Sequence, residues 1–259
     1  MSATALDPPE IGGWFVQTLR FTAFPLTPAI QLQQSWWRDI AGDDSEVVSK
    51  KSERAEIGRF EDITLALTMD LLRLQWSVSA PPPIEIDSFE GLQTIGKFVD
   101  RKVWFQKLVN QWLTNCPPIS RLAFGGVLVI PVDTREQGYE LLDRFLRVTE
   151  VDPSSTDFLY RVNRPLASRV NPTLRINRLS TWVVGKWMVE IRALQPGQVG
   201  TGLGGQAICT ERFACTLEFD INTEPKLPVE ELSRESLTAL FEELASHAQN
   251  LARHGDVRQ

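Results

Sequence analysis

Between Arg212 and Asn222 the chain alternates: Phe213, Cys215, Leu217, Phe219 and Ile221 interleave with Arg212, Thr216, Glu218, Asp220 and Asn222. Successive side chains of a strand point to opposite faces, so this run fits a strand with one face in a core and one face polar. Phe158 to Arg164, Leu174 to Leu179, Trp182 to Leu194 and Ile208 to Ile221 carry the same strand character, which predicts a mostly antiparallel sheet over the second half of the chain. That half closes with an amphipathic helix from about Pro228 to His254, with Leu232, Leu240, Phe241, Leu244, Ala248 and Leu251 on one side and Gly255 placed as its C′ residue.

The first half mixes the two periods. Trp14 to Phe24 is rich in β-branched and aromatic residues and stops at Pro25, as a strand would. Thr27-Pro28 then resembles an N-cap followed by a proline at N1, and Ile30, Leu32, Trp36, Trp37 and Ile40 supply the apolar side of a helix ended by Gly42. Asp43 to Arg59 mixes both charge signs and reads as a solvated loop. Two strands around Met69-Asp70, or one long bent strand, occupy Phe60 to Ser79, a helix spans Gly96 to Asn115, and Leu122 to Val132 is a buried strand. A capping box at Thr134 and Gln137 opens a further helix to Val148.

The order strand, helix, strand, strand, helix, strand is the split βαβ arrangement. The expected fold class is therefore α+β: a ferredoxin-like half over residues 1–150, then an antiparallel sheet and terminal helix over 151–259, the two standing as separate units or as one continuous domain.

Charge supplies the clearest hint of a partner. Phe158 to Val189, 32 residues, contains no Asp or Glu but holds Arg161, Arg164, Arg169, Arg175, Arg178 and Lys186. The whole chain carries −6 and this stretch +6, so the remainder sums to −12. A short unit recurs inside it: Arg161-Val162-Asn163-Arg164, Arg169-Val170-Asn171-Pro172 and Arg175-Ile176-Asn177-Arg178. If Tyr160, Val162, Leu174 and Ile176 point to the core, then Arg161, Asn163, Arg175 and Asn177 share the opposite face. Guanidinium forks grip phosphate or carboxylate bidentately, amides add donors, and Tyr160, Trp182 and Trp187 offer stacking surfaces for bases. Arg161, Asn163, Arg164, Arg169, Arg175, Asn177, Arg178 and Lys186 are thus the candidate binding residues for nucleic acid or an acidic protein surface. The competing reading is internal: Glu218 and Asp220 neutralise the arginines across the sheet.

Other motifs narrow the field. Gly200 to Gly205 satisfies G-x-G-x-x-G, but a dinucleotide loop opens a helix and the residues after this one read as a strand, so a hairpin loop is expected. His247 and His254 are the only histidines, His247 lies near the apolar stripe of the terminal helix, and no Ser-His-Asp or Cys-His set is legible. Glu218 with Asp220 is the one tidy carboxylate pair for a metal-dependent nuclease. Cys116, Cys209 and Cys215 form neither a disulfide framework nor a zinc motif, and no cofactor is called for. With no leader-like N-terminus and no long uncharged apolar window, the expectation is a soluble cytoplasmic protein without a membrane partner.

Several short segments together resemble a sporadically distributed bacterial family of uncharacterised proteins of similar length. They are the early strand Leu19 to Pro25, the Trp112 helix with the Arg121-led strand to Ile130, and Leu217-Glu218-Phe219-Asp220-Ile221 before Leu237 to Leu251. Where that family tends to read R-x-x-x-R-Y-x-N, this chain has Arg121-Leu-Ala-Phe-Gly125-Gly126. At the level of fold, the layout is also similar to ferredoxin-like RNA-binding proteins of CRISPR systems, which carry a late glycine-rich loop. Neither resemblance implies an established activity. The functional expectation is a non-catalytic protein that binds an anionic partner. The alternatives are an assembly subunit using its terminal helix and eight tryptophans, and the metal nuclease.

Overall fold

The computed structural model describes residues 13–32, 36–50, 52–81, 92–192, 207–226 and 228–257. Within them, ten strands build one sheet: β1 (Phe15–Pro25), β2 (Glu46–Lys50), β3 (Glu53–Phe60), β4 (Ile63–Met69), β5 (Leu74–Ser79), β6 (Ile119–Val132), β7 (Leu159–Asn163), β8 (Leu166–Ala167), β9 (Arg175–Arg192) and β10 (Ala207–Thr223). The strand order is β2-β3-β4-β5-β1-β6-β10-β9-β7, with β8 also on β9, and every pair is antiparallel. Four helices accompany it: α1 (Trp36–Ala41), α2 (Phe98–Leu113), α3 (Arg135–Phe145) and α4 (Arg234–His254). None of the described helices is long and apolar enough to cross a membrane.

Period-two burial shows that these helices cover one face of the sheet. Leu65 and Leu67 of β4, Leu74, Trp76 and Val78 of β5, Leu19 and Phe21 of β1, and Leu217, Phe219 and Ile221 of β10 are all buried. Gln17 is an extra residue in the β1–β6 ladder, between the pairs Val16↔Leu128 and Thr18↔Val127. This bulge lets Val16 and Leu19, three apart, both face the helices. Phe241 of α4 packs edge-on against Phe21, centroids 5.0 Å apart, and against Phe124 at 5.7 Å. Trp14, Phe145 and Trp182 form a second aromatic group, and the Trp14 indole donates to the Ala252 carbonyl at 2.8 Å.

The antiparallel second half and terminal helix agree with the sequence reading, although the two strands expected at Leu174 to Leu179 and Trp182 to Leu194 are one over Arg175–Arg192, β9, with Ala193 and Leu194 outside the described residues. The ferredoxin-like start does not. The helix expected from Thr27 to Gly42 is reduced to a 3-10 turn at Ala29–Gln31 and the six residues of α1. The segment expected as a loop, residues 43–59, contributes β2 and β3. Its charges suit an edge hairpin, where polar side chains discourage further pairing, and this is why composition alone read it as a loop. The first half is accordingly mostly strands, and β6 pairs with β10, so the sheet runs without a break between the two halves.

The Thr134 cap is as expected: its hydroxyl accepts from the Gln137 amide, while the Gln137 side chain accepts from the Asp133 amide. Gly255 ends α4 at φ 71°, and a Cβ there would lie 1.9 Å from the Phe145 carbonyl oxygen. Only glycine fits. Gly255→Ala is therefore expected to cost at least about 2 kcal/mol of unfolding free energy, since it combines backbone strain with a steric clash. Urea denaturation of the two proteins measures the loss, and equal midpoints would refute the packing described.

Candidate functional site

One sheet face is filled by the helices, and the other carries a polar centre. Register places Thr18 (β1), Val127 (β6), Glu218 (β10), Thr181 (β9) and Arg161 (β7) in one cross-sheet row. The next row holds Arg20, Gly125, Asp220, Leu179 and Asn163. A third holds Thr22, Ala123, Asn222 and Asn177. Arg20, Leu159, Arg161, Leu179, Thr181, Glu218 and Asp220 line a shallow concavity of about 320 Å³.

Arg20 reaches across β6 to this site. Its guanidinium lies 3.7 Å from Glu218 and 3.9 Å from Asp220, over a position where a Cβ on Gly125 would come within 2.6 Å of its Nε. Gly125 thus keeps the path open. Its neighbour Gly126 faces the core, where a Cβ would press on Leu19 and Phe219 at 2.9 Å each. Two consecutive glycines therefore make room on opposite faces of one strand. Sequence reasoning missed Arg20 although its signal was present: Leu19-Arg20-Phe21 alternates, and the lone arginine had to face away from the core.

Beside the concavity runs a chain of amides. Asn163 donates to Asn177 at 3.0 Å, Asn177 to Asn222 at 3.2 Å, and Asn222 to Asp220 at 2.9 Å. Arg121 donates to Asn222 at 2.7 Å and to the Thr223 carbonyl at 2.7 Å, and its guanidinium lies over the Phe24 ring. The third asparagine of the repeated unit, Asn171, accepts from Thr173 in a turn.

The eight candidate residues do not converge. Arg161, Asn163, Arg175 and Asn177 share the open face, with Arg175 3.6 Å from Glu224. Arg164 and Arg178 belong to the opposite side. Arg164 donates from Nε and Nη2 to the two oxygens of Asp256, the latter at 2.6 Å, and the Tyr160 hydroxyl donates to Asp256 at 2.7 Å. Arg178 is 4 % exposed, opposite Ile221. Arg169 sits in an exposed loop where its backbone amide donates to Glu243, and Lys186 pairs with Glu211 further along the β9–β10 ladder. Trp182 is wholly buried and stacks on Phe145, so it offers no surface to a base. Glu218 and Asp220 do neutralise an arginine, but it is Arg20 of the first half; Arg161 has no ion pair or side-chain hydrogen bond among the described residues. The glycine-rich segment 200–205 lies outside those residues.

At the covered side, the Asp256 carboxylate is buried, 1 % exposed, beside Arg164 and Arg178. Burial by itself raises the Asp256 carboxyl, but hydrogen bonds from Arg164 and Tyr160 and the charges of Arg164 and Arg178 outweigh it and hold the group below its ordinary range. Nearby, His247 is 2 % exposed with no hydrogen bond at either ring nitrogen and Glu243 3.8 Å from its Nε2; burial followed by the charge of Arg178 pushes its pKa down against the pull of Glu243. Glu243 accepts from the Ser168 hydroxyl at 2.6 Å and from the Arg169 amide at 2.7 Å. Among the described residues, no group of three or more His, Cys, Asp or Glu is arranged to hold a metal.

No family model, curated protein or solved structure matches the chain.

A depressed folded-state pKa stabilises the fold above the unfolded value and loses that contribution as pH falls through the folded value. Asp256→Asn is expected to cost about 1–3 kcal/mol at pH 7, because it leaves a guanidinium donor facing an amide. The gap from wild type should shrink at pH 3, below the ordinary carboxyl value of 3.8. Denaturation at the two pH values tests this, and an equal gap at both would refute the charged state assigned to Asp256.

Proposed function

We propose that the protein acts by binding, and that it recognises an anionic group on a partner through the open sheet face, with Arg161 as the principal contact. One observation carries this reading. Arg161 is exposed at the rim of the concavity and has no ionic partner among the described residues, while beside it Arg20 already pairs with both Glu218 and Asp220. A free guanidinium fork next to Thr181 and the asparagine chain suits a carboxylate or phosphate.

The mixture of charges favours an acidic protein surface over a nucleic-acid backbone. A polyphosphate laid along this face would meet Glu218 and Asp220, whose two charges Arg20 balances only in part, as like charges, whereas a single carboxylate can engage Arg161 at the rim and stay clear of them. The assembly reading has less support, since six of the eight tryptophans face the interior. Trp14, Trp36, Trp37, Trp76, Trp112 and Trp182 are buried, and α4 turns Leu237, Leu240, Phe241, Leu244, Ala248 and Leu251 inward. The nuclease reading is weakened by Arg20, whose charge between Glu218 and Asp220 opposes a cation there.

The test is co-purification of tagged wild type and of Arg161→Glu/Arg175→Glu at low salt, with thermal melts of both. The expected result is a protein partner retained by wild type and lost by the variant at unchanged melting temperature. Equal retention by both would overturn the role of Arg161. Release by nuclease, with a steep salt dependence, would overturn the protein partner in favour of nucleic acid.

A further inference from the structure

The Asp256 cluster leaves one guanidinium without a bonded partner: burial weighs against the Arg178 cation more than the Asp256 charge favours it. Arg178 projects from β9 into the helix-covered side, is 4 % exposed, and its buried Nε has no hydrogen-bond partner. Among the described residues no carboxylate lies within 4.0 Å of it; both oxygens of Asp256 are engaged by Arg164 and Tyr160. On α4 the nearby His247 is held toward its neutral form, and Glu243, 3.8 Å from His247, is taken up by the Ser168 hydroxyl and the Arg169 amide. A buried guanidinium without a bonded partner is costly to a fold, and an anion from outside would remove that cost.

Arg178 also faces space. With Asn250, His254 and the chain at Gly255 and Val257 it lines a concavity of about 230 Å³, far above the roughly 30 Å³ share of one water. The end of a helix normally repels anions through its free carbonyls, but two here are occupied: Leu251 accepts from the Gly255 amide at 2.9 Å and Ala252 from the Trp14 indole at 2.8 Å. Arg178 and Asn250 bring donors, and His254 brings a ring able to donate, so the lining converges on a site for oxygen acceptors.

We propose that this concavity at the C-terminal end of α4 binds a phosphate group, gripped by the Arg178 guanidinium and assisted by Asn250 and His254. It lies on the side of the sheet opposite the open face and is independent of the reading given to Arg161. Phosphate is preferred to carboxylate because donors approach from two elements, β9 and α4, and a tetrahedral group presents oxygens to both at once, whereas a carboxylate satisfies one fork in one plane.

Isothermal titration of the intact protein with inorganic phosphate, phenyl phosphate and acetate, at ionic strength fixed with chloride, tests the site. Saturable binding of either phosphate compound, with acetate at least about tenfold weaker, is expected; preference for phenyl phosphate would mean that the natural group is a phosphate ester, and preference for the free ion that it is phosphate itself. Arg178→Gln is expected to weaken phosphate by at least about tenfold. Because that position is buried, the half-exposed Asn250→Ala and exposed His254→Ala give a second readout, each expected to weaken binding by a few-fold. The Arg161→Glu/Arg175→Glu variant is expected to bind phosphate as wild type does. No saturable binding, equal affinity for acetate, or phosphate affinity unchanged in Arg178→Gln and in both α4 variants would each overturn the proposal.

Discussion

The fold depends on one aromatic layer pressed between the middle of the sheet and α4. Phe21 from β1, Phe124 from β6 and Phe219 from β10 are three neighbouring strands' contributions to it, and Phe241 from α4 meets the first two edge to face. Edge-to-face pairs add about 0.5–1.5 kcal/mol beyond the area they bury, and here they also tie the last helix to strands from the beginning and middle of the chain. The Trp14 indole bonded to Ala252 adds a polar tie over the same span. None of these contacts is local, so the central sheet and α4 acquire their burial together, which predicts the slow, cooperative folding usual for distant antiparallel pairings.

Covering only one face has a direct consequence for the other. Among the described residues no helix packs on the far side, and the central rows make that side polar with Thr18, Arg20, Thr22, Thr181, Glu218, Asp220 and three asparagines. The polarity is organised. Charges meet across β6 only because Gly125 has no side chain, and the amides pass hydrogen bonds in one direction from Asn163 to Asp220. Each exposed ion pair is worth little in water, but together the contacts fix the orientation of Arg20 and the asparagines and so reduce the ordering cost of a partner that binds there.

Much of this was legible because period and punctuation are local signals. Alternation from Phe213 to Asn222 located β10 and both of its faces, helical spacing located α2 and α4, and the capping box at Thr134 located the start of α3 to the residue. What failed depends on neighbours. Trp36 and Trp37 read as part of a long helix, yet only six residues are helical, and the charged segment from Glu46 to Phe60 pairs as strands because β4 supplies a ladder that composition cannot reveal. The candidate site was half legible: the facing of Arg161, Asn163, Arg175 and Asn177 followed from period two, while Arg20 and Asp256, about 140 and 95 residues away from Arg161, enter only through pairing and packing.

The acid-free stretch shows why spacing matters more than the sum of charge. In Arg161-Val-Asn-Arg164 and Arg175-Ile-Asn-Arg178 the two arginines are three apart, an odd step, so a strand sends them to opposite faces. Each unit therefore places one guanidinium and its asparagine on the open side and the other guanidinium beneath. Carboxylates from outside the stretch then meet one arginine of each unit: Glu224 lies by Arg175 on the open side, and Asp256 holds Arg164 on the covered side. The remaining two, Arg161 and Arg178, have no ion pair among the described residues, and they stand on opposite faces of adjacent strands. These two units are thus, in space, a partly neutralised framework with one unpaired guanidinium on each side, and Arg169, also without an ion pair among the described residues, stands apart from both in its exposed loop. An anion that the two units recruit has to be sought at Arg161 and Arg178 separately, since no single ligand on one face reaches both.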